Sequence, residues 1–160
     1  MATTGASSSE LAIRAVLGLL IVGLVVVLYF VTVVPAQEAE ARERETAITR
    51  ERMGDVRTAL IAYRDSMSGY PSTLDSLVLF ARGDSALRAQ VAGMDPAERR
   101  RPFSVDSLAL SPRTGTPFQY EVMRDTTGLQ LYWLGDPDVE GDSIGARDLN
   151  PAFRNAASWE

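Results

Sequence analysis

An unbroken apolar run near the N-terminus constrains this chain more than any other feature. From Ala15 to Val34, 20 consecutive residues carry no charge and are rich in Leu, Val and Ile. As an α-helix rising about 1.5 Å per residue, this run would span about 30 Å, which matches the hydrocarbon thickness of a bilayer. We therefore expect residues 11–34 to form a transmembrane helix, preceded by a lead-in of residues 1–10.

The residues around this run also suit a membrane helix. Arg14 can extend its charge to one interface, Tyr29 lies near the other, and Pro35 follows the run directly. A cleaved secretory signal is the alternative, but its apolar core normally has only about 7–15 residues. The longer run favours a retained anchor. Arg14 is interpreted as a snorkelling anchor, or alternatively as a polar contact to a partner's transmembrane helix.

The charges beyond the anchor leave its orientation open. Four arginines follow it within the next 18 residues, at positions 42, 44, 50 and 52. By the positive-inside rule they would place the following domain in the cytoplasm. Glutamates are interleaved with them, however, and long domains translocate largely regardless of charge.

The composition removes most common catalytic chemistry. The chain has no Cys and no His, so thiolate and imidazole groups are both absent. No nucleophile elbow or phosphate loop occurs. The net charge is -5, and the single dense basic cluster, Arg99 to Arg101, is interpreted as a solvated loop. We expect a protein that is not an enzyme, requires no cofactor, and binds neither nucleic acid nor an evident small-molecule substrate.

Residues 35–67 are expected to form a charged stalk helix that continues from the anchor. Its first half, Glu38 to Arg52, should stand in solvent or touch a partner, with helical ion pairs such as Glu38–Arg42 and Glu40–Arg44. Its second half should pack on a core through one face, formed by Met53, Val56, Leu60, Tyr63 and Met67. We expect the helix to end at Ser68 to Pro71, with Gly69 in the left-handed conformation.

Residues 68–160 are expected to form a small α+β domain. Ser72 should cap a short apolar segment, and Asp84 to Met94 should form a second short helix before a loop from Asp95 to Ser104. Period-two alternation then predicts a hairpin of two strands, Pro117 to Met123 and Leu129 to Leu134. Phe153 and Trp159 should pin an otherwise irregular tail. The predicted fold is thus α+β, with a long N-terminal transmembrane-plus-stalk helix packed on a small antiparallel sheet.

An acidic loop follows the second predicted strand. Its carboxylates alternate before a glycine and comprise Asp136, Asp138, Glu140 and Asp142. Oxygen ligands at this spacing can surround Ca²⁺, with glycine permitting the tight turn. A solvated acidic turn is the alternative, because the twelfth position of an EF-hand-like loop is here Arg147.

Several short motifs occur together in a recognisable order. Gly69-Tyr70-Pro71-Ser72 closes the long helix and is followed by Leu74 and Leu77; later come Ser111 to Tyr120, Leu134-Gly135-Asp136 and the closing Trp159. In this order they resemble the type IV pilin-like proteins, especially the major pseudopilin of type II secretion. The resemblance implies a pilin-like fold, a calcium site in the acidic loop, and a bacterial inner (cytoplasmic) membrane location with the C-terminal domain extracytoplasmic (periplasmic).

The N-terminal lead-in departs from the prepilin pattern. Gly5 and Glu10 keep the spacing of the family's cleavage site and glutamate, but the residues between them are small and polar. Arg14 also stands where the family is apolar. The resemblance implies that Glu10 contacts a neighbouring subunit's N-terminus, with a surface charge or helix cap as the alternative. We therefore interpret the lead-in as a degenerate prepilin leader, which leaves both processing after Gly5 and filament assembly as open alternatives.

Three functional hypotheses follow. The favoured one is a non-catalytic structural subunit, derived from a pilin, that contacts other transmembrane proteins of a membrane complex through residues 11–34. The second is a pseudopilin-like component of a secretion or pilus-type assembly. The third is a membrane-tethered periplasmic binding module.

Overall fold

The computed structural model describes residues 8–92 and 104–160. The chain divides into two compact units, Met1–Arg44 and Glu45–Glu160. The second unit therefore includes part of the predicted stalk, residues 45–67, together with the small domain. The predicted cleavage site at Gly5, the basic cluster at Arg99 to Arg101, and most of the predicted loop at Asp95 to Ser104 lie outside the described residues.

The first unit consists of the N-terminal part of helix α1, which spans Ser8–Met67 and includes Pro35. Its most apolar 18-residue stretch has a mean hydropathy of 2.9, and it is long and apolar enough to cross a membrane. The large apolar side chains from Leu11 to Val31 are all exposed. The two predicted ion pairs are confirmed, with N–O distances of 3.6 Å for Arg42–Glu38 and 3.4 Å for Arg44–Glu40.

The second unit is built around the last part of α1 and a three-stranded antiparallel sheet. Strands β1 (Gln119–Arg124), β2 (Gln130–Gly135) and β3 (Ser143–Gly145) lie in the order β1-β2-β3. The core joins helix to sheet through buried side chains that include Met53, Val56, Leu60, Tyr132, Leu134 and Ile144. This arrangement confirms the coarse α+β prediction of a long helix with a small antiparallel sheet.

The predicted hairpin is confirmed, with strand ends shifted by one or two residues. Asp125 organises its turn, because Oδ1 accepts hydrogen bonds from the backbone N–H groups of Thr127 and Leu129, both at 2.8 Å. Gly128 takes a positive φ of 86° there. Strand β2 differs from the predicted one-faced alternation, since Leu131 to Leu134 are all buried. As the central strand, β2 is paired on both edges and packed on both faces.

Two short helices follow the long one. Helix α2 spans Leu74–Gly83 and α3 spans Ser85–Ala92. The cap of α2 is Thr73, whose hydroxyl accepts from the N–H of Ser76 at 3.3 Å, so the prediction of Ser72 was wrong by one residue. A capping side chain must precede the first helical residue directly to reach the third N–H. Asp84 caps α3 by accepting from Ala86 and Leu87, both at 2.9 Å.

The end of α1 also corrects the prediction. Ser68, not Gly69, takes the left-handed conformation, with φ of 60°. The left-handed position falls directly after the last helical residue, Met67. Gly69 serves another purpose, since a Cβ there would lie 2.6 Å from Oε1 of Gln130, the atom that accepts from the N–H of Tyr70 at 3.0 Å.

The buried face of α1 begins earlier and ends earlier than predicted. Thr49 and Arg52, assigned to the solvated half, are buried, whereas Met67 is 60% exposed. Arg52 is buried because Nη1 donates to Oγ of Ser107 at 2.6 Å and to the carbonyl of Ser104 at 3.3 Å. These two hydrogen bonds connect this charged turn of α1 to the segment before β1.

The C-terminal tail is more regular than predicted. Strand β3 pairs with β2, and Ile144 forms an isolated bridge with Ala157. Gly145 permits this pairing, because its φ is 100° and an added Cβ would collide with the carbonyl oxygen of Tyr132. Trp159 packs against the core as predicted. Phe153 does not, since it is 50% exposed in a 3₁₀ turn of residues Pro151–Phe153.

Candidate functional site

The predicted membrane contacts lie along the first unit. Glu10 is in the first turn of α1, where a negative charge suits the positive end of the helix dipole. Arg14 is exposed, and Tyr29 is 50% exposed with its ring edge-to-face against Phe30 at 5.8 Å between centroids. Both aromatic side chains are therefore accessible to a lipid or protein neighbour.

The acidic loop is folded by its own backbone and by Asp136. The N–H of Asp136 donates to the carbonyl of Asp142 at 2.9 Å, which closes the loop. Oδ1 of Asp136 accepts from the N–H of Asp138 at 2.9 Å. The side chain is only 6% exposed, and Oδ2 is buried without a hydrogen bond among the described residues. Burial raises the pKa of the Asp136 carboxyl. The hydrogen bond from the N–H of Asp138 and the charge of Arg113 oppose this rise, while the negative charges of Asp138 and Asp142 add to it.

Asp138 is held by hydroxyl groups from the segment before β1. Its carboxylate accepts from Oγ of Ser111 at 2.5 Å and from Oγ1 of Thr114 at 2.9 Å. These two donors belong to the motif that precedes the sheet. The contact therefore fixes the acidic loop to the entry of β1.

Asp142 is held by the long helix instead. Its two oxygens accept from Nε and Nη2 of Arg50, each at 2.8 Å. The Arg50 guanidinium also lies over the ring of Trp159, 5.0 Å from its centroid. The hydrogen bond to Asp142 raises the pKa of Arg50 above its ordinary value. One guanidinium thus joins α1, the acidic loop and the C-terminal tail.

Glu140 is exposed at the tip of the loop, and a surface cleft of ≈ 740 Å³ runs beside it. On the same cleft, the Arg147 guanidinium lies 4.5 Å from the centroid of the Trp133 ring. In the described ranges, 8–92 and 104–160, no group of three or more carboxylates is placed to hold a metal ion. Three of the four loop carboxylates, Asp136, Asp138 and Asp142, already accept hydrogen bonds from protein donors. Calcium binding by Asp136, Asp138, Glu140 and Asp142 stays a prediction.

A second contact between α1 and the C-terminal tail was not predicted from the sequence. Arg57 forms two hydrogen bonds with the Glu160 carboxylate, at 3.0 and 3.1 Å, and donates to the carbonyl of Asn155 at 3.1 Å. The hydrogen bond to Arg57 lowers the pKa of Glu160. Together with Arg50, it ties the chain's end to α1.

The chain's resemblance to other proteins was tested at the level of family, sequence and fold. No protein-family model, no curated protein and no solved structure matches this chain.

Proposed function

We propose that this chain is a non-catalytic, single-pass membrane subunit, derived from a pilin, that scaffolds a larger integral membrane complex such as a photosynthetic or respiratory assembly. Its domain would lie on the extracytoplasmic side of a bacterial inner membrane. The observation that carries this proposal is the first unit of α1, whose large apolar side chains are exposed all around the helix. Such a surface is stable only in lipid or against other apolar helices.

The second unit supports a structural role by the way its charges are used. Arg50, Arg52 and Arg57 project from α1 and hold the acidic loop, the segment near Ser107 and the C-terminal residue, respectively. These three groups have hydrogen-bond partners within the chain, so they stabilise the domain on its helix. A rigid domain on a membrane helix suits a subunit that positions other proteins.

A pseudopilin-like component of a type II secretion or type IV pilus-type assembly is the second candidate. The Gly5-to-Glu10 spacing and the order of the pilin-like motifs favour it. The mass of the intact purified protein separates the two candidates. Loss of Met1 to Gly5 with N-methylation supports the secretion or pilus role, whereas an unprocessed N-terminus supports the scaffold.

The scaffold role itself is tested by purification in a mild detergent through a C-terminal tag on a flexible linker. We expect integral membrane proteins to co-purify in a fixed ratio. As the matched control, residues 15–34 are replaced by an unrelated transmembrane helix of the same length, which keeps the anchor and should lose the partners. A wild-type chain that purifies alone contradicts the scaffold role.

A further inference from the structure

A cleft at the end of α1 is lined by three arginines. Its volume is ≈ 240 Å³, and it lies between the turn after α1 and the β1–β2 hairpin turn. Arg64 enters it from α1, Arg124 from the end of β1, and Arg154 from the C-terminal tail. None of the described residues that line it is Asp or Glu.

The positive charge of this arginine cleft is only partly neutralised. Arg64 pairs with Asp65 at 2.7 Å. Arg124 donates one hydrogen bond, to the carbonyl of Gly128 at 3.3 Å. Arg154 is half-buried, and its Nε is fully buried without a hydrogen bond to any residue in the described ranges. A guanidinium is always charged and carries five N–H donors. The buried Nε of Arg154 cannot reach a docking partner, but the unneutralised charges of Arg124 and Arg154 in a partly buried setting favour an anionic partner.

The size of the cleft and the geometry of its donors define the chemistry of that partner. A guanidinium presents paired N–H groups that match the two oxygens of a carboxylate or phosphate. A cleft of ≈ 240 Å³ is below the usual range of about 300–1,000 Å³ for small-molecule sites. It therefore suits a single oxyanion group rather than a whole cofactor.

One exposed apolar side chain in the cleft, and two that adjoin cleft residues in the sequence, favour a protein as the source of that group. Leu129 lines the cleft and is 40% exposed. Met67 directly precedes the turn at Ser68 and is 60% exposed, and Phe153 directly precedes Arg154 and is 50% exposed. Arginine, methionine and aromatic residues together are the types enriched in protein interfaces. A free anion would gain nothing from the apolar groups.

We propose that the arginine cleft is a docking site for an acidic segment of a partner protein, with an Asp or Glu carboxylate between Arg124 and Arg154 and an apolar residue on Leu129. The inference deepens the scaffold role and rests on it, since it assigns a second contact with the same complex outside the membrane helix.

The test places a photo-crosslinking phenylalanine at position 129 of the full chain in its native membrane. We expect crosslinks to one partner peptide that contains Asp or Glu. The double variant Arg124→Glu/Arg154→Glu should lower the crosslink yield by at least about tenfold, because it removes two charge-assisted contacts. Arg88→Glu is the matched control, because Arg88 is exposed on α3 and outside the cleft, and it should keep the yield.

Charge exchange then separates a docking contact from a folding defect. Replacing the crosslinked carboxylate of the partner by Lys should restore the yield in Arg154→Glu, which a change in the partner could not do if that variant were misfolded. Crosslinks to phospholipid alone, or a yield unaffected by the double variant, overturn the inference. If partners still co-purify in that case, the scaffold role stands and only the cleft assignment fails. If wild type co-purifies with nothing, the scaffold role fails too.

Discussion

The two parts of helix α1 contain similar apolar residues in opposite environments. Leu19 is 74% exposed, whereas Leu60 on the same helix is fully buried. The difference lies in their neighbours along the sequence. Around Leu60 the fully buried residues Met53 and Val56 recur on the same face, and charged residues such as Arg57 and Arg64 interrupt the apolar ones, so one face packs on the domain. Around Leu19 every position is apolar or small, and a helix that is apolar all round requires lipid or other helices.

Charged pairs show the same contrast. The Arg42–Glu38 pair lies in the first unit, with an N–O distance of 3.6 Å and side chains 79% and 63% exposed. The Arg50–Asp142 pair has distances of 2.8 Å, and the Asp142 side chain is 9% exposed. Solvent screens the first pair strongly and the second pair less, because Asp142 is buried while the Arg50 side chain is 38% exposed. The Arg42–Glu38 pair therefore adds little to stability, whereas the Arg50–Asp142 pair holds the acidic loop on α1.

The largest expected effect comes from charging the apolar segment. Leu24→Arg combined with Val27→Arg should remove the chain from the membrane fraction, because each arginine at a helix centre costs about 2.5–3.5 kcal/mol of insertion free energy. Alkaline extraction of membranes measures the outcome. Leu79→Arg is the control, since Leu79 is also apolar and 65% exposed but lies on α2. Equal membrane retention of both variants would show that the apolar segment of α1 does not anchor the chain in the membrane.

A cavity in the core should have the next largest effect. Leu60→Ala is expected to lower the free energy of unfolding of the domain by about 2–5 kcal/mol, since it removes buried methyl groups and leaves a void. Leu19→Ala should change the same quantity by less than about 0.5 kcal/mol. Denaturant titration followed by Trp fluorescence compares the two. Similar losses in both variants would show that the domain depends on the first unit.

Breaking the partly buried ion pair between Arg50 and Asp142 should cost less. Arg50→Gln leaves Asp142 buried without its cation, and we expect a loss of about 1–3 kcal/mol, reduced from the cost of a fully buried pair because Arg50 is partly exposed. Arg42→Gln should cost no more than about 0.5 kcal/mol. The same titration applies. A loss for Arg42→Gln equal to that for Arg50→Gln would refute the assignment of Arg50 as a domain contact.

The smallest expected effect is a pH dependence at the C-terminus. The hydrogen bond to Arg57 holds the pKa of Glu160 below its ordinary value of 4.5. A depressed carboxyl pKa contributes stability above the ordinary value that is lost as the pH falls through the folded value. Between about pH 5 and about pH 3, wild type should therefore lose slightly more thermal stability than Glu160→Gln. Parallel curves for the two proteins would show that this exposed pair contributes nothing.

Local patterns explain which parts of the fold were predictable. The hairpin follows from period-two alternation and from Asp125 and Gly128 in its turn, and the core face of α1 follows from the spacing of Met53, Val56 and Leu60. Strand β3 has only one apolar residue, Ile144, and depends on pairing with distant segments. No local sequence pattern predicts such a strand.

The contacts of the candidate site were less predictable still. Arg50 and Asp142 are 92 positions apart, and Arg57 and Glu160 are 103 apart. In the sequence, Arg50 and Arg57 cannot be distinguished from the exposed arginines near them. Only the packing of α1 on the sheet brings these two within reach of their partners. The acidic loop was recognisable as a cluster of carboxylates. The donors to Asp138 and Asp142 are Ser111, Thr114 and Arg50, which lie outside the loop, and the spacing of the loop cannot reveal them.

The absence of cysteine from this chain allows the most direct test of a single membrane anchor with an external domain. Single-cysteine variants Val25→Cys and Thr126→Cys place one thiol in the apolar segment and one in the exposed hairpin turn. In intact cells with a permeabilised outer membrane, a membrane-impermeant maleimide should label Thr126→Cys and leave Val25→Cys unlabelled until detergent is added. Labelling of Val25→Cys without detergent would contradict the membrane anchor, and labelling of Thr126→Cys only after the inner membrane is opened would contradict an extracytoplasmic domain.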